Sequence, residues 1–242
     1  MSGPRSGHRR LLCRPCPVQY RADMRSFPGR PVGVIAALAA ALWSFVLLPP
    51  QQHAFSGAYA MPKWLFDLDR LPVYDAARDW LVSVGLPDFY IAFGAAASVS
   101  FILVWFAAGP PLAGLGWSGR VLSWLILAGA PITVLSYLST PTTAPTHWLW
   151  GAEGPLLVLI GLWAIVVAFA APRRSGVRVW ERLLVGFTLP ILAGATLLLS
   201  YWPHGTLVGL GLEAAALAAW GARPATAGAE ADGADEVRLA AG

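Results

Sequence analysis

Long runs without a single charge leave few folds open to this chain. Residues 89–119, 121–152 and 154–171 hold no Asp, Glu, Lys or Arg, and 183–212 carries only His204. A helix of about 18 or more apolar residues crosses a hydrocarbon core of roughly 30 Å, and a soluble helix seldom runs so far uncharged. The chain is 57% hydrophobic and 12% charged, where a soluble domain carries about 25% charged residues. The fold class that follows is all-α: a polytopic integral membrane protein with spans near 32–49, 89–108, 121–138, 149–171, 183–202 and 206–220.

Arginine placement orients these six spans. Seven basic residues precede the first; Arg120, then Arg173, Arg174, Arg178 and Arg182, then Arg223 and Arg238 fall on the same side. The other side holds only Lys63, Arg70 and Arg78. Cytoplasmic loops collect Lys and Arg, so both chain ends are expected inside (N-in, C-in). Trp117, Trp148, Trp150, Trp180, Trp202 and Trp220 fall near span ends, where an indole keeps its N–H wet and its body dry. The net charge of +4 gathers in these inner segments, where it meets anionic lipid and gives no reason to expect nucleic acid. Sixteen Arg against the single Lys63, with 25 Gly, fit a GC-rich bacterial genome and a bacterial cytoplasmic membrane.

The ends read differently from the middle. Residues 1–30 are basic and broken by Pro and Gly, and Met24 offers a later start; residues 223–242 are Ala-, Gly- and acid-rich without apolar periodicity. Both are expected to be disordered, flanking a transmembrane domain over 31–222. Ala58-Tyr59-Ala60 has the form of a signal-peptidase site, but it lies far from the first apolar core, which favours an uncleaved anchor.

The one long outer segment, 50–88, carries Asp67, Asp69, Asp75, Asp79 and Asp88 against three bases. Val73, Ala77, Trp80, Leu81 and Val84 share a helical face, with Pro72 to start and Gly85 to stop. A short amphipathic helix between the first two spans is expected there, on the membrane surface or the bundle mouth. Asp67 and Asp69 form the kind of pair that holds a divalent cation, yet such pairs are common in solvated loops.

Ile126-Leu127-Ala128-Gly129-Ala130 followed by Ser136-Tyr137 recurs as Ile191-Leu192-Ala193-Gly194-Ala195 followed by Ser200-Tyr201. The first span echoes it through Ile35, Ala37, Ala39, Ser44 and Phe45, suggesting duplicated hairpins in parallel orientation. Gly33, Ala37 and Ala41, Gly94 with Ser98, and Gly205 with Gly209 form rows that let helices approach closely. Pro131 and Pro190 are expected to kink the third and fifth spans.

Glu213 is the intramembrane polar candidate. A charge at its depth costs several kcal/mol unless protonated, paired or wetted; it suits a proton or cation site, or a hydrogen bond to Ser, Thr or Tyr of a neighbouring helix. Toward the outer face lie His147, Glu153 and His204, with His53 beyond. Convergence would suit zinc or copper, but no close His spacing exists, so neither metal nor cofactor is expected. Gly116-Trp117-Ser118-Gly119 has the form of a rhomboid-protease nucleophile motif, but Ser118 and His204 lie about 30 Å apart across the bilayer. Cys13 and Cys16 stand alone, with no second pair to complete a zinc site.

These readings imply a non-enzymatic membrane-embedded accessory or assembly component, with lipid, further copies or a partner membrane protein as its company. The alternative is a small oligomeric transporter or ion-coupled permease using Glu213. A lipid enzyme at the outer face, drawing on Asp67, Asp69, His147, Glu153 and His204, ranks third.

Overall fold

The computed structural model describes residues 30–57, 61–171 and 179–220, so the expectations for the two terminal segments and for Tyr59 and its neighbours lie outside the described residues. What is described is all-helical, with no strand. Four helical stretches are long and apolar enough to cross a membrane: Pro31–Ser56, Phe89–Gly114, Trp117–Leu138 and His147–Ala170. A fifth forms if Val179–Gly186 and Thr188–Leu199, bent 51° to one another, count as one span. The elements in order are α1 (Arg30–Ser56), α2 (Lys63–Asp69), α3 (Pro72–Ser83), α4 (Phe89–Ala96), α5 (Ser98–Gly114), α6 (Trp117–Leu138), α7 (Glu153–Ala170), α8 (Val179–Gly186), α9 (Thr188–Leu199) and α10 (His204–Trp220).

The shortest of the apolar stretches is the most enclosed. Helix α10 packs chiefly on α1, α9 and α5, and Leu207, Leu210, Ala214 and Leu217 are buried along it. Its 17 residues reach about 25 Å at 1.5 Å per residue, short of a full hydrocarbon core. A helix apolar on all sides belongs inside a bundle, and one shielded by protein need not match the bilayer. Small residues seat it. A Cβ at Gly211 would stand 2.7 Å from the Ala41 amide nitrogen, and one at Gly209 2.8 Å from the Ala195 Cβ. The bundle's periphery is apolar instead of polar, with Ile35, Leu42, Trp124, Phe169, Leu197 and Leu198 exposed, as lipid-facing surface requires.

Breaks in the helices are repaired by side chains from elsewhere. Helix α1 runs past the expected end at Pro49 to Ser56. Pro50 has no N–H to give the Val46 carbonyl four residues back; the Tyr74 hydroxyl of α3 donates to that carbonyl at 2.8 Å. At the junction of α4 and α5, the Trp43 indole donates to the Ala96 carbonyl at 2.8 Å, and Ser100 donates to the Ala40 carbonyl at 3.0 Å. The fifth expected span breaks beside Pro190, whereas α6 runs through Pro131 as one element.

Helices α2 and α3 cap one end of the bundle. Leu65 is buried with Leu48, Met61 and Tyr201, and Phe45 stacks on Trp64 with centroids 6.3 Å apart. The buried Asp69 carboxylate accepts from Arg78 and meets His53 Nδ1 at 2.5 Å, tying α1, α2 and α3 together. Helix α3 forms where expected: of its apolar face, Leu81 is buried and Ala77 packs on the core while Val73, Trp80 and Val84 are exposed, and Tyr74 is buried against the bundle.

Candidate functional site: a polar and aromatic cavity at the capped end

Helix ends are where polar side chains reach the interior at least cost, and six segments bring theirs to one place beneath the cap. Helix α1 delivers Gln51 and Phe55 in its last turns. The Asp88 carboxylate accepts the Ile91 N–H at 3.0 Å, starting α4 so that its first turn carries Tyr90. Helix α6 carries Tyr137 in its last turn. The Gly151 N–H donates to Ser136 Oγ at 2.9 Å, fixing the turn, with Gly151 at φ 81°, from which Trp150 and Glu153 project. The 201–203 turn adds Tyr201 and Trp202, and α10 opens on His204.

The rings touch in sequence. Phe55 stacks on Tyr90 at 5.7 Å and meets Tyr201 edge-on at 6.0 Å; Tyr90 meets Tyr137 at 5.2 Å. Together with Trp150, Trp202 and Glu153 they line a half-open cavity of about 140 Å³. Beside it, closed to water, polar groups face one another: the Tyr137 and Tyr201 hydroxyls lie near the Gln51 amide, Glu153 near Ser136, and His204 near the Phe93 backbone. Buried polar groups normally find such partners, and their concentration at one end distinguishes it from the mostly aliphatic interior of the bundle. The Tyr137 ring owes its position to Gly94, where a Cβ would stand 2.2 Å from it.

The sequence-derived candidates separate here. Glu153 lines the cavity. His204 is fully buried behind its wall, 6.4 Å from the Tyr137 ring and 5.7 Å from that of Tyr201. His147 lies outside, stacked on Trp150 at 6.0 Å with Nδ1 3.0 Å from the Ser139 carbonyl. Among the described residues no three His, Cys, Asp or Glu come together as metal ligands. Asp67 and Asp69 diverge: the first pairs with Lys63 in the open, while the second is buried against His53 and Arg78. Gln51 and Tyr90 escaped the sequence reading. Tyr137 and Tyr201 entered it only as marks of the repeat, whose two Ser-Tyr ends both arrive at this cavity; the echo in α1 does not, since Phe45 packs on Trp64.

Glu213 forms a second, smaller polar spot. It faces the interior, 6% exposed, with Oε1 accepting from the Thr188 hydroxyl at 2.6 Å and Oε2 without a partner. The adjoining cavity of about 20 Å³ is otherwise lined by Thr188 and aliphatic side chains such as Val104, Ile126 and Leu217. That is room for about one water.

Comparison with family models, with curated proteins and with solved structures finds no match for this chain.

Proposed function

We propose that this chain is a six-span protein of a bacterial cytoplasmic membrane, N-in and C-in, serving as a non-enzymatic membrane-embedded accessory component whose working face is the capped outer end. The carrying observation is the gathering of buried polar and aromatic side chains beside the outer pocket. Counting α8 with α9 as one span and α10 as the sixth returns the chain to its starting side, in keeping with the arginine distribution. The apolar periphery supports membrane residence, and the exposed Val73, Trp80 and Val84 of α3 are suited to the outer lipid surface.

A permease is the reading to defeat, because Glu213 keeps one carboxyl oxygen unpartnered in mid-bundle. Its surroundings argue the other way. A cavity of about one water among aliphatic side chains gives a polar solute nothing to follow toward the inner face.

Thiol labelling in intact cells decides between them. In a chain with Cys13 and Cys16 replaced by Ser, Glu153→Cys is expected to react with a membrane-impermeant maleimide from outside. Glu213→Cys and Thr188→Cys are expected to resist even small water-soluble reagents. Brisk labelling at 213 or 188 would defeat the accessory reading in favour of transport, and outward reactivity of a cysteine at Ser175 would overturn the topology.

A further inference from the structure

The outer cavity has the chemistry of an organic-cation site. Its walls are the faces and edges of Phe55, Tyr90, Tyr137, Tyr201, Trp150 and Trp202, and aromatic faces carry negative potential that attracts ammonium groups. Its one carboxyl, on Glu153, is 5% exposed and has no ion pair among the described residues. A buried carboxyl stays neutral unless a cation joins it, so a cationic guest is the one that gains from its charge. An anionic guest would meet that carboxylate with no Lys or Arg among the lining residues to offset it. A purely apolar guest would leave the Glu153 carboxyl without a partner of opposite charge. A bare metal ion would find a single carboxylate where several ligands are needed. The volume of about 140 Å³ is close to that of a cavity that holds one benzene-sized molecule, which suits a methylated ammonium and exceeds what ammonium itself fills.

We propose that this cavity binds an alkylated ammonium group, with the rings enclosing the methyls and Glu153 supplying the counter-charge. The proposal rests on the reading of the capped end as the outer working face. The group reaches the site either as a free quaternary ammonium solute or as the headgroup of a phospholipid.

The test uses the full chain in nanodiscs of phosphatidylglycerol, titrated with choline while tryptophan fluorescence is followed. Saturable quenching is expected. Glu153→Gln is expected to weaken it about ten- to a hundredfold, the range for losing a charge-assisted contact, and Tyr90→Leu to weaken it while leaving Glu153 in place. Glu213→Gln should match the wild type. The neutral isostere 3,3-dimethylbutanol is expected to bind far more weakly than choline. Adding phosphatidylcholine to the discs separates the sources: competition with choline identifies the headgroup, and undisturbed choline binding identifies the free solute. Absence of saturable binding from both, equal binding of the isostere, or an unaffected Glu153→Gln would overturn the proposal. If position 153 labels from outside and no ammonium binds, this inference falls while the accessory reading stands; labelling at position 213 strikes the accessory reading itself.

Discussion

Glu153 and Glu213 are both buried glutamates, yet they sit in opposite surroundings. Glu153 opens on about 140 Å³ walled by aromatic rings; Glu213 adjoins about 20 Å³ walled mainly by aliphatic side chains and leans on Thr188. A buried carboxyl alone therefore does not mark a site. What decides is the space beside it and the groups facing that space, since a lone hydrogen bond suffices to hold a carboxyl in a tight helix junction, whereas a roomier aromatic pocket has space for a guest.

The largest effects are expected where glycines hold each region shut. Gly94→Val and Gly211→Val should each cost about 3 kcal/mol or more through overpacking, because their Cβ atoms would enter the Tyr137 ring and the Ala41 backbone. Thermal unfolding in detergent measures the loss. Of the two, only Gly94→Val should remove choline quenching from the protein that remains folded; silencing by Gly211→Val would show the regions to be one coupled unit.

Next comes the cap. Asp69→Asn removes the buried carboxylate between Arg78 and His53 while Arg78 keeps Asp75 at 3.1 Å, and is expected to cost about 2 kcal/mol, the range for a lost hydrogen bond to a charged group. Limited proteolysis between α2 and α3 should accelerate while a cysteine at Glu213 stays protected. Should that cysteine become reactive, the cap would be governing the bundle interior as well.

A smaller change is expected from Tyr74→Phe, about 1 kcal/mol for the lost hydrogen bond to Val46. Burial, and secondarily the Asp69 carboxylate, raise the Tyr74 phenol above its usual 10.0, with Arg78 opposing. The folded state thus holds this proton more tightly than the unfolded one, so the stabilisation is complete below about pH 10 and declines as pH rises further. Urea unfolding from pH 8 to 11 should show a steeper decline in the wild type than in Tyr74→Phe.

The smallest effect belongs to Glu213→Gln, expected within about 1 kcal/mol because a neutral amide can keep the Thr188 bond. A change above 3 kcal/mol in chemical denaturation would mean that the ionised carboxylate is part of the fold and would bring the two glutamates closer in kind.

The helical character of the bundle was open to sequence reading because uncharged length is a local property. Helix α3 was legible from its apolar spacing, which is local too; the burial of Tyr74 was not, since its hydroxyl is drawn to a carbonyl freed by Pro50, 24 positions earlier. Glu213 stood out by its depth, and its partner is a threonine, one of the residue types expected. The cavity was illegible because no single element contains it. Tyr90, Tyr137 and Tyr201 come from three separate segments, and each alone resembles an ordinary interfacial aromatic.

The central place of α10 has a consequence for synthesis. The described helices leave the ribosome in order, and the one against which α1 packs most extensively emerges last among them. Until it does, Ala41 of α1 and Ala195 of α9 lack the glycines they pack against in the finished bundle. A chain that stops before His204 would lack the helix on which α1 packs most extensively, and so its keystone.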